Sequence, residues 1–563
     1  MDDSSTSGLD VDRGRPPAAP ETATEPAEPP ASPRPRRAWL RTVPALVWLL
    51  TAFQGALLLM FTLLYPPYLG LDEPQHVDMA FALTHSPEWP GPGERLLSLG
   101  VARTSDPFYG RATRLVGPYL EGEAVPRRAR PSLCALGGNA PSPTPPHLPN
   151  QMVQHPPLYY ALGAAVLEVA PGECGWPYDR LVWLLRGVSV LLLLPLPLLV
   201  WATTRRLAGD GPLALAAAAA PLAVPGLLRV GASVNNDDLL VLLGGVLGLL
   251  LARVVTGDRS HRTALTIGLA LAAALLTKFN GVVFVPVVVA AYAVAWLRDR
   301  GPLPWRQVLV AGAASGLGAW WWFRNRLLYG SFQPNGFGEE AARRVDARGS
   351  LGASHPFDTF WPIFRNWIEQ RLWSTLGVID RPGLPRVVVH ALTLALVAGT
   401  LAALLHGRAR GGRAGLAVLV APVVLSLAGL LLTTWLYFAR TGLPAAIQGR
   451  YLYPALLPLF AVVAVGYGGL LGRYRRLLPL GALLLGIGVE LLAVRAVMRS
   501  FWVPAPSGDR LADVRAALDA LVAWSPWPAG PTLVPMALAA ALGLVTLVAA
   551  VRVARPRPGG RPG

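Results

Sequence analysis

Apolar runs of helical length recur along most of this chain. They fall at roughly 39–64, 180–203, 212–229, 238–256, 262–277, 281–297, 306–323, 386–406, 414–438, 451–471, 477–497 and 531–553. Each approaches the ~20 residues needed to cross ~30 Å of hydrocarbon. The composition agrees, with 53% hydrophobic residues and a mean hydropathy of +0.42, values foreign to soluble domains. The expected fold is all-α: a polytopic membrane protein of about twelve transmembrane helices, with juxtamembrane helices in long outer loops.

The net charge is +17 and the pI near 10.6. In a soluble protein that balance suggests nucleic acid. Here the arginines cluster in short loops: Arg205 and Arg206; Arg253, Arg259 and Arg262; Arg298, Arg300 and Arg306; Arg408, Arg410 and Arg413; Arg473, Arg475 and Arg476; Arg552, Arg555 and Arg557. The threading puts all of these on one side, as the positive-inside bias requires. The charge therefore orients the chain, and no nucleic-acid partner is expected. Both termini are then cytoplasmic and the protein is a multi-pass resident of the plasma membrane. Residues 1–38 read as a disordered cytoplasmic tail, 39–553 as the transmembrane domain and 554–563 as a second tail. Counting "PPLYYALGAAVLEVA" (156–170) as a further span would invert everything after it, so it reads as a short helix at the outer interface.

The outer side holds two long loops, about 65–179 and 324–385. Loops of this length usually carry function when ordered. Cys134 and Cys174, the only cysteines, both fall in the first, where the compartment permits a disulfide. They supply no zinc or redox motif. In the second loop Trp361, Phe364, Ile368 and Leu372 recur at helical spacing, opposite Arg365, Asn366, Glu369 and Gln370. That pattern reads as an amphipathic helix in the membrane plane.

Ionisable groups at membrane depth need a partner or a purpose. "LDEPQHVD" (71–78) places Asp72 and Glu73 where the first span ends, with Pro74 suited to a first helical turn. Either acid can cap that helix, and either can act as a general base. His76 lies four residues after Asp72 and shares its helix face if the helix begins early enough. "QHPPLYYAL" sets His155 beside Tyr159 and Tyr160. "GASVNNDDLL" packs Asn235, Asn236, Asp237 and Asp238 between two apolar runs, more polar groups than capping requires. Lys278 in "LLTKFNGVV" is the only lysine among 50 basic side chains. It breaks the inside bias, as do Arg324 and Arg450 at the outer ends of their spans. A compact ammonium and two guanidiniums at headgroup level suit a phosphate. The threading brings acids and bases to one side of the membrane.

Together these segments resemble the GT-C superfamily of integral-membrane glycosyltransferases, which use lipid-phosphate-linked sugars. "LDEPQH" matches the superfamily's catalytic acid just after the first span, which implies Asp72 and, second to it, Glu73. "HPPLYYAL" resembles a segment of the aminoarabinose and protein-mannosyl branches, with His155 standing where lysine is frequent. "LLTKFNG" resembles their Thr-Lys-Gly segment and implies Lys278 as a donor-phosphate ligand, with Phe279 and Asn280 intervening before Gly281. A closer likeness is to a bacterial family of predicted integral membrane proteins linked to surface polysaccharides. It is carried in order by "LDEPQH", "HPPLYY", "VNNDDLL", "TKFNG", "RLWSTLGVIDRPGLP" and "QGRYLYPALLPL".

The resemblance implies inverting transfer from a polyprenyl-phosphate-linked sugar donor to a glycan or lipid acceptor, on the outer face, among membrane lipids. Asp72 or Glu73 would be catalytic, Lys278, Arg324 and Arg450 would bind the donor phosphate, and His76, His155, Tyr159, Asn236, Asp237 and Asp238 would contact substrate. The superfamily admits a divalent cation, but no ligand set here requires a metal. The competing reading is a multi-pass transporter or flippase of envelope lipids or polysaccharide precursors, which the lack of a repeat disfavours. A membrane O-acyltransferase would place a histidine within a span, whereas His76, His155 and His355 lie in loops. A non-catalytic scaffold is the remaining class.

Overall fold

The computed structural model describes residues 42–112, 124–142, 149–334, 356–377, 382–503 and 507–555. The tail 1–38, the segment 335–355 with His355, residues 378–381 and nearly all of the tail 554–563 lie outside the described residues. The chain divides into two units, Met1–Pro44 and Ala45–Gly563. Of the first, residues 42–44 are described, and the α-helices that can be followed all lie in the second.

Of the described residues, 77% are helical. Among the described residues there is no strand, only isolated bridges at Ser98–Pro141 and Ser132–Pro177. Nineteen α-helices can be followed: α1 Ala45–Leu64, α2 Glu73–Leu83, α3 Leu99–Ala112, α4 Leu158–Glu168, α5 Tyr178–Leu193, α6 Leu196–Ala208, α7 Pro212–Ala219, α8 Pro225–Gly231, α9 Asp237–Val255, α10 His261–Leu275, α11 Phe284–Asp299, α12 Trp305–Tyr329, α13 Phe357–Ser374, α14 Arg386–His406, α15 Gly412–Thr441, α16 Tyr453–Leu471, α17 Leu478–Phe501, α18 Arg510–Trp524 and α19 Ala529–Ala554.

Among the described residues, eight helical stretches are long and apolar enough to cross a membrane, or nine if one bent pair counts as a span. The chain is an integral membrane protein. The expected count of twelve is not reached on length and apolarity alone, for local reasons. Pro221 and Pro225 break the third run, so that Pro212–Ala223 and Pro225–Gly231 meet at 70°. The His261–Leu275 helix has only 15 residues. The seventh run, α12, is long enough but carries polar and basic residues at both ends. Two runs join as Gly449–Phe501, 53 residues long, through a 3₁₀ turn at Gly472–Leu477. The segment after the paired prolines, α4, has 11 residues and is too short to span.

The helices pack as α10 on α12, α1 on α19, α14 on α16, and α9 on α16 and α6. The described residues of the segment 65–179 are tied together by side-chain bonds. Cys134 and Cys174 are joined in a disulfide. Asp78 is fully buried and accepts from Arg95 Nε at 2.7 Å and Nη2 at 2.8 Å, from Ser98 N at 2.8 Å and from Asn150 Nδ2 at 2.7 Å. One carboxylate thus gathers three parts of the loop onto α2. Arg130 pairs with Asp179 and donates to the carbonyls of Ala523, Trp524 and Ser525. That places a cation at the C-terminal end of α18, where the helix dipole favours it.

Candidate active site

Four segments that interrupt the apolar runs converge: the start of α2, the 3₁₀ turn Gln151–Gln154, the start of α9, and the turn Gly449–Leu452. Lys278 joins them from the break between α10 and the 3₁₀ turn Phe279–Val283.

The two adjacent acids of "LDEP" part company here. Glu73 is fully buried, and its Oε1 and Oε2 each lie 2.7 Å from Arg186, on Nε and Nη2. Glu73 also accepts from Gly70 N and Val234 N, both at 3.0 Å. Arg186 spends its remaining donors on the carbonyls of Thr62, Tyr65 and Pro66 at 2.7–2.8 Å. Each partner is saturated, the condition under which a buried ion pair is tolerated. A Cβ on Gly70 would collide with Ser233 and Glu73, so only glycine lets these two loops touch.

Asp72 is different. It precedes α2 with φ 57°, the left-handed region uncommon for a residue with a Cβ, and its side chain makes no cap. The carboxylate instead leaves the helix. Oδ2 accepts from Arg450 Nη2 at 2.7 Å and Oδ1 from Gln151 Nε2 at 2.9 Å. The side chain keeps 25% exposure, whereas that of Arg450 keeps 7%. Such an outlier, held by its surroundings, is typical of working sites.

Arg450 continues the chain of charge. Its Nε stands 3.3 Å from Asp237 Oδ2, and Asp237 Oδ1 accepts from Lys278 Nζ at 2.6 Å. Both cations lie over the Tyr451 ring, at 4.8 Å for Lys278 and 5.6 Å for Arg450. The order is therefore Asp72, Arg450, Asp237, Lys278, alternating in sign. The 3.3 Å contact is an ion pair without hydrogen-bond geometry, which leaves Arg450 Nε and Asp237 Oδ2 without hydrogen bonds. Arg450 is positioned by Gly449, where a Cβ would run into the backbone of Arg371 and Leu372. Through that approach "RLWSTLG" seats "QGRYLYP", and Tyr453 donates to the Leu372 carbonyl at 3.1 Å.

The remaining predicted residues line the same place, with one exception. His76 is buried against Tyr160, Nδ1 to hydroxyl 3.0 Å, rings 5.8 Å apart. Its backbone N–H donates to the Asp72 carbonyl at 3.1 Å, the first bond of α2, with Asp72 in the N-cap position. His155 is buried, and its Nδ1 has no hydrogen-bond partner among the described residues. Burial, then the charges of Lys278 and Arg450, hold His76 well below the usual imidazole range. Burial, then Lys278, His76 and Arg450, do the same to His155 against the opposing pull of Asp72. Both rings are thus neutral near pH 7. Tyr159 accepts from Asn235 N at 2.8 Å and meets Ser189 at 3.2 Å. Asn236 Oδ1 is 3.5 Å from Lys278 Nζ. Asp238 is buried next to this knot, with no hydrogen bond of ordinary geometry to either oxygen among the described residues. Arg324 stands apart: it lies over Trp321 at 5.2 Å and donates to Asn325, with no bond to the ion chain among the described residues.

A divalent cation fits this donor set poorly. Asp72 and Asp237 are already turned to cations, and Asp238 is the only carboxylate nearby without one. Among the described residues, the one cluster with ligand spacing is His85, Cys134 and Cys174, of which the cysteines are disulfide-bonded. No chemical step here is routed through a metal.

Gln151 and Arg186 escape a reading of the sequence. Arg186 carried a signal, a charge inside the run 180–203. Gln151, a polar residue in a polar loop, carried none.

A family model described as "Predicted membrane protein (DUF2142)" matches residues 56–459. The chain belongs to the DUF2142 family. All six segments that suggested a family of predicted membrane proteins fall within the matched region, as do Asp72, Asp237, Lys278 and Arg450. No curated protein matches this DUF2142 chain. Among solved structures it is similar to ArnT from Cupriavidus metallidurans bound to undecaprenyl phosphate, 14% identical, TM-score 0.43, over 90% of this chain and 78% of that one. It is also similar to the Archaeoglobus fulgidus oligosaccharyltransferase with Zn and sulfate, 13% identical, TM-score 0.43, over 81% of this chain and 54% of that one. A third is AglB from the same archaeon with an inhibitory peptide and a dolichol-phosphate, 13% identical, TM-score 0.36, over 89% and 56%. These likenesses are distant and decide nothing about the chemistry of this DUF2142 chain.

Proposed function

We propose that this DUF2142 protein is an inverting GT-C-type glycosyltransferase. It moves a sugar from a polyprenyl-phosphate donor to a cell-envelope glycan or lipid acceptor, at the outer face of the plasma membrane, with both termini cytoplasmic. The observation that carries the reading is the ion chain: a strained, quarter-exposed Asp72 joined through Arg450 and Asp237 to the only lysine.

Asp72 is the base of this reading. It takes the proton of an acceptor hydroxyl as the oxygen forms its bond to the anomeric carbon. The bond from that carbon to the phosphate oxygen breaks, and polyprenyl phosphate leaves with the electron pair. Arg450 and Lys278 meet the charge that develops on the leaving oxygen, in a site mostly closed to water. Glu73, saturated by Arg186, has no free donor-side role and holds the loop that carries Asp72. His76, His155, Tyr159, Asn236 and Asp238 are the substrate contacts of this reading, the imidazoles acting as neutral donors or acceptors. Arg324, which stands apart over Trp321, has no part in this step.

The test follows polyprenyl-phosphate release by purified protein given a panel of polyprenyl-phosphate sugars. Asp72→Asn should lower turnover by roughly 10²–10⁴. Equal turnover by wild type and variant would sink the assignment.

One observation favours the transporter or flippase reading: the span broken at 70° with Arg229 buried in its second half. Solute uptake or lipid flipping by proteoliposomes, with no glycosyl transfer, would establish it instead.

A further inference from the structure

The ion chain is electrically complete without substrate. Two carboxylates face two cations, and Arg450 and Lys278 are both committed to acids. A lipid-linked phosphate entering this site adds a negative charge to a neutral set, so one internal pair must open. The geometry says which. Lys278 is held by Asp237 at 2.6 Å, in the buried half of the chain. Arg450 has one strong bond, 2.7 Å to the quarter-exposed Asp72. Its other contacts are weak: 3.3 Å to Asp237 without hydrogen-bond geometry, and 3.5 Å to the Leu71 carbonyl. Arg450 can therefore leave Asp72 and still be balanced by Asp237.

We propose that Asp72 and Arg450 form a latch opened by the donor phosphate, so that the base is released only once the donor is bound. This rests on the glycosyl-transfer reading and adds an order to it, donor before acceptor. Without donor, the Asp72 oxygens are held by Arg450 and Gln151. With donor, Arg450 turns its Nη2 to the phosphate, and Asp72 Oδ2 is vacated for the acceptor hydroxyl. The same guanidinium that masks the base becomes the group that stabilises the leaving phosphate.

The latch has a consequence opposite to that of a simple binding residue. Asp72 competes with the lipid phosphate for Arg450, so removing its charge strengthens phosphate binding while it removes catalysis. Binding of undecaprenyl phosphate to the full chain in nanodiscs tests this, with undecaprenol as the uncharged control and the unfolding temperature as the check on folding. Asp72→Asn should bind undecaprenyl phosphate about tenfold more tightly than wild type, a difference of about 1.4 kcal/mol. Arg450→Gln should bind it at least tenfold more weakly. Undecaprenol should bind all of them alike. Asp72→Ser replaces the Asn variant should that one fail to fold. Unchanged or weaker binding by a folded Asp72 variant overturns the latch while leaving the glycosyl-transfer reading intact. Failure of the wild type itself to discriminate undecaprenyl phosphate from undecaprenol overturns that reading and the latch with it.

Discussion

Asp72 and Glu73 are neighbours in the chain, both acids and both paired with arginine, yet they head two different structures. The Glu73–Arg186 pair is closed: each oxygen accepts two hydrogen bonds and the guanidinium reaches three carbonyls as well. The Asp72–Arg450 pair is open: it is part exposed, has a poorly aimed second contact, and leads to a second acid and a lysine. On the proposed reading, satisfaction more than the presence of charge separates the structural ion pair from the working one. A saturated pair has nothing left to offer a substrate, and opening it exposes an uncompensated buried charge. An unsaturated chain can exchange partners at small cost.

The sharpest way to break this comparison is to truncate the closed pair. Arg186→Ala should destabilise the fold by about 3–5 kcal/mol, the usual cost of leaving one buried charge alone. Thermal unfolding in detergent checks it, beside Asp72→Asn, which should unfold within about 1 kcal/mol of wild type because its site is part solvated. If Arg186→Ala unfolds with wild-type stability, the closed pair is not structural and the contrast fails. The next effect is on the seat of the open pair. Gly449→Ala forces a methyl against the backbone of α13 and should cost about 1–3 kcal/mol. It should also displace Arg450, so turnover would fall further than stability alone explains. A variant equally stable and equally active would show that this approach does not hold the guanidinium.

Much of this arrangement is legible in the chain. The six polar segments are conspicuous because each interrupts an apolar run, and a break at the end of a helix is where a membrane protein places groups it cannot bury cheaply. Threading only puts Asp72, Asp237, Lys278 and Arg450 on one side; that they meet is what the structure adds. The pairing is another matter. Arg186 lies 113 residues from Glu73, and Arg450 lies 378 from Asp72. No periodicity reports on contacts so remote, so the choice between Asp72 and Glu73 stays open until the arginines are placed. Gln151 is invisible for a related reason: its role comes from the 3₁₀ turn that aims it. The span broken at Pro221 and Pro225 reads as one apolar run, because hydropathy carries no direction.

The imidazoles give a smaller effect, dependent on pH. His76 and His155 are held below the usual imidazole range by burial and by the cations of the open chain. The unfolded chain therefore takes up protons first as pH falls. Stability is full above the unfolded value of ~6.5 and is lost as pH drops below it toward the lower folded values. Unfolding temperature should decline between pH 7 and pH 5, and His76→Asn with His155→Asn should flatten that decline. A slope unchanged by the double substitution would place the responsible protons elsewhere.

The smallest effect concerns an acid that is neither closed nor open. Glu490 in α17 is only 3% exposed, and neither oxygen has a hydrogen-bond partner among the described residues. It lies one helical turn from Gly486, which packs on Leu222 where the broken span bends. A carboxylate there gains nothing from a partner and bears the whole cost of leaving water. An amide of the same shape loses no bond, so Glu490→Gln should unfold within about 1 kcal/mol of wild type, on the stable side. Its polyprenyl-phosphate release should be unchanged, since the transfer reading uses only the open chain. If turnover or lipid movement collapsed while stability held, Glu490 would be a working group at the bend. The contrast between closed and open pairs would then have missed the site that matters, and the broken span would carry the function as a transporter's does.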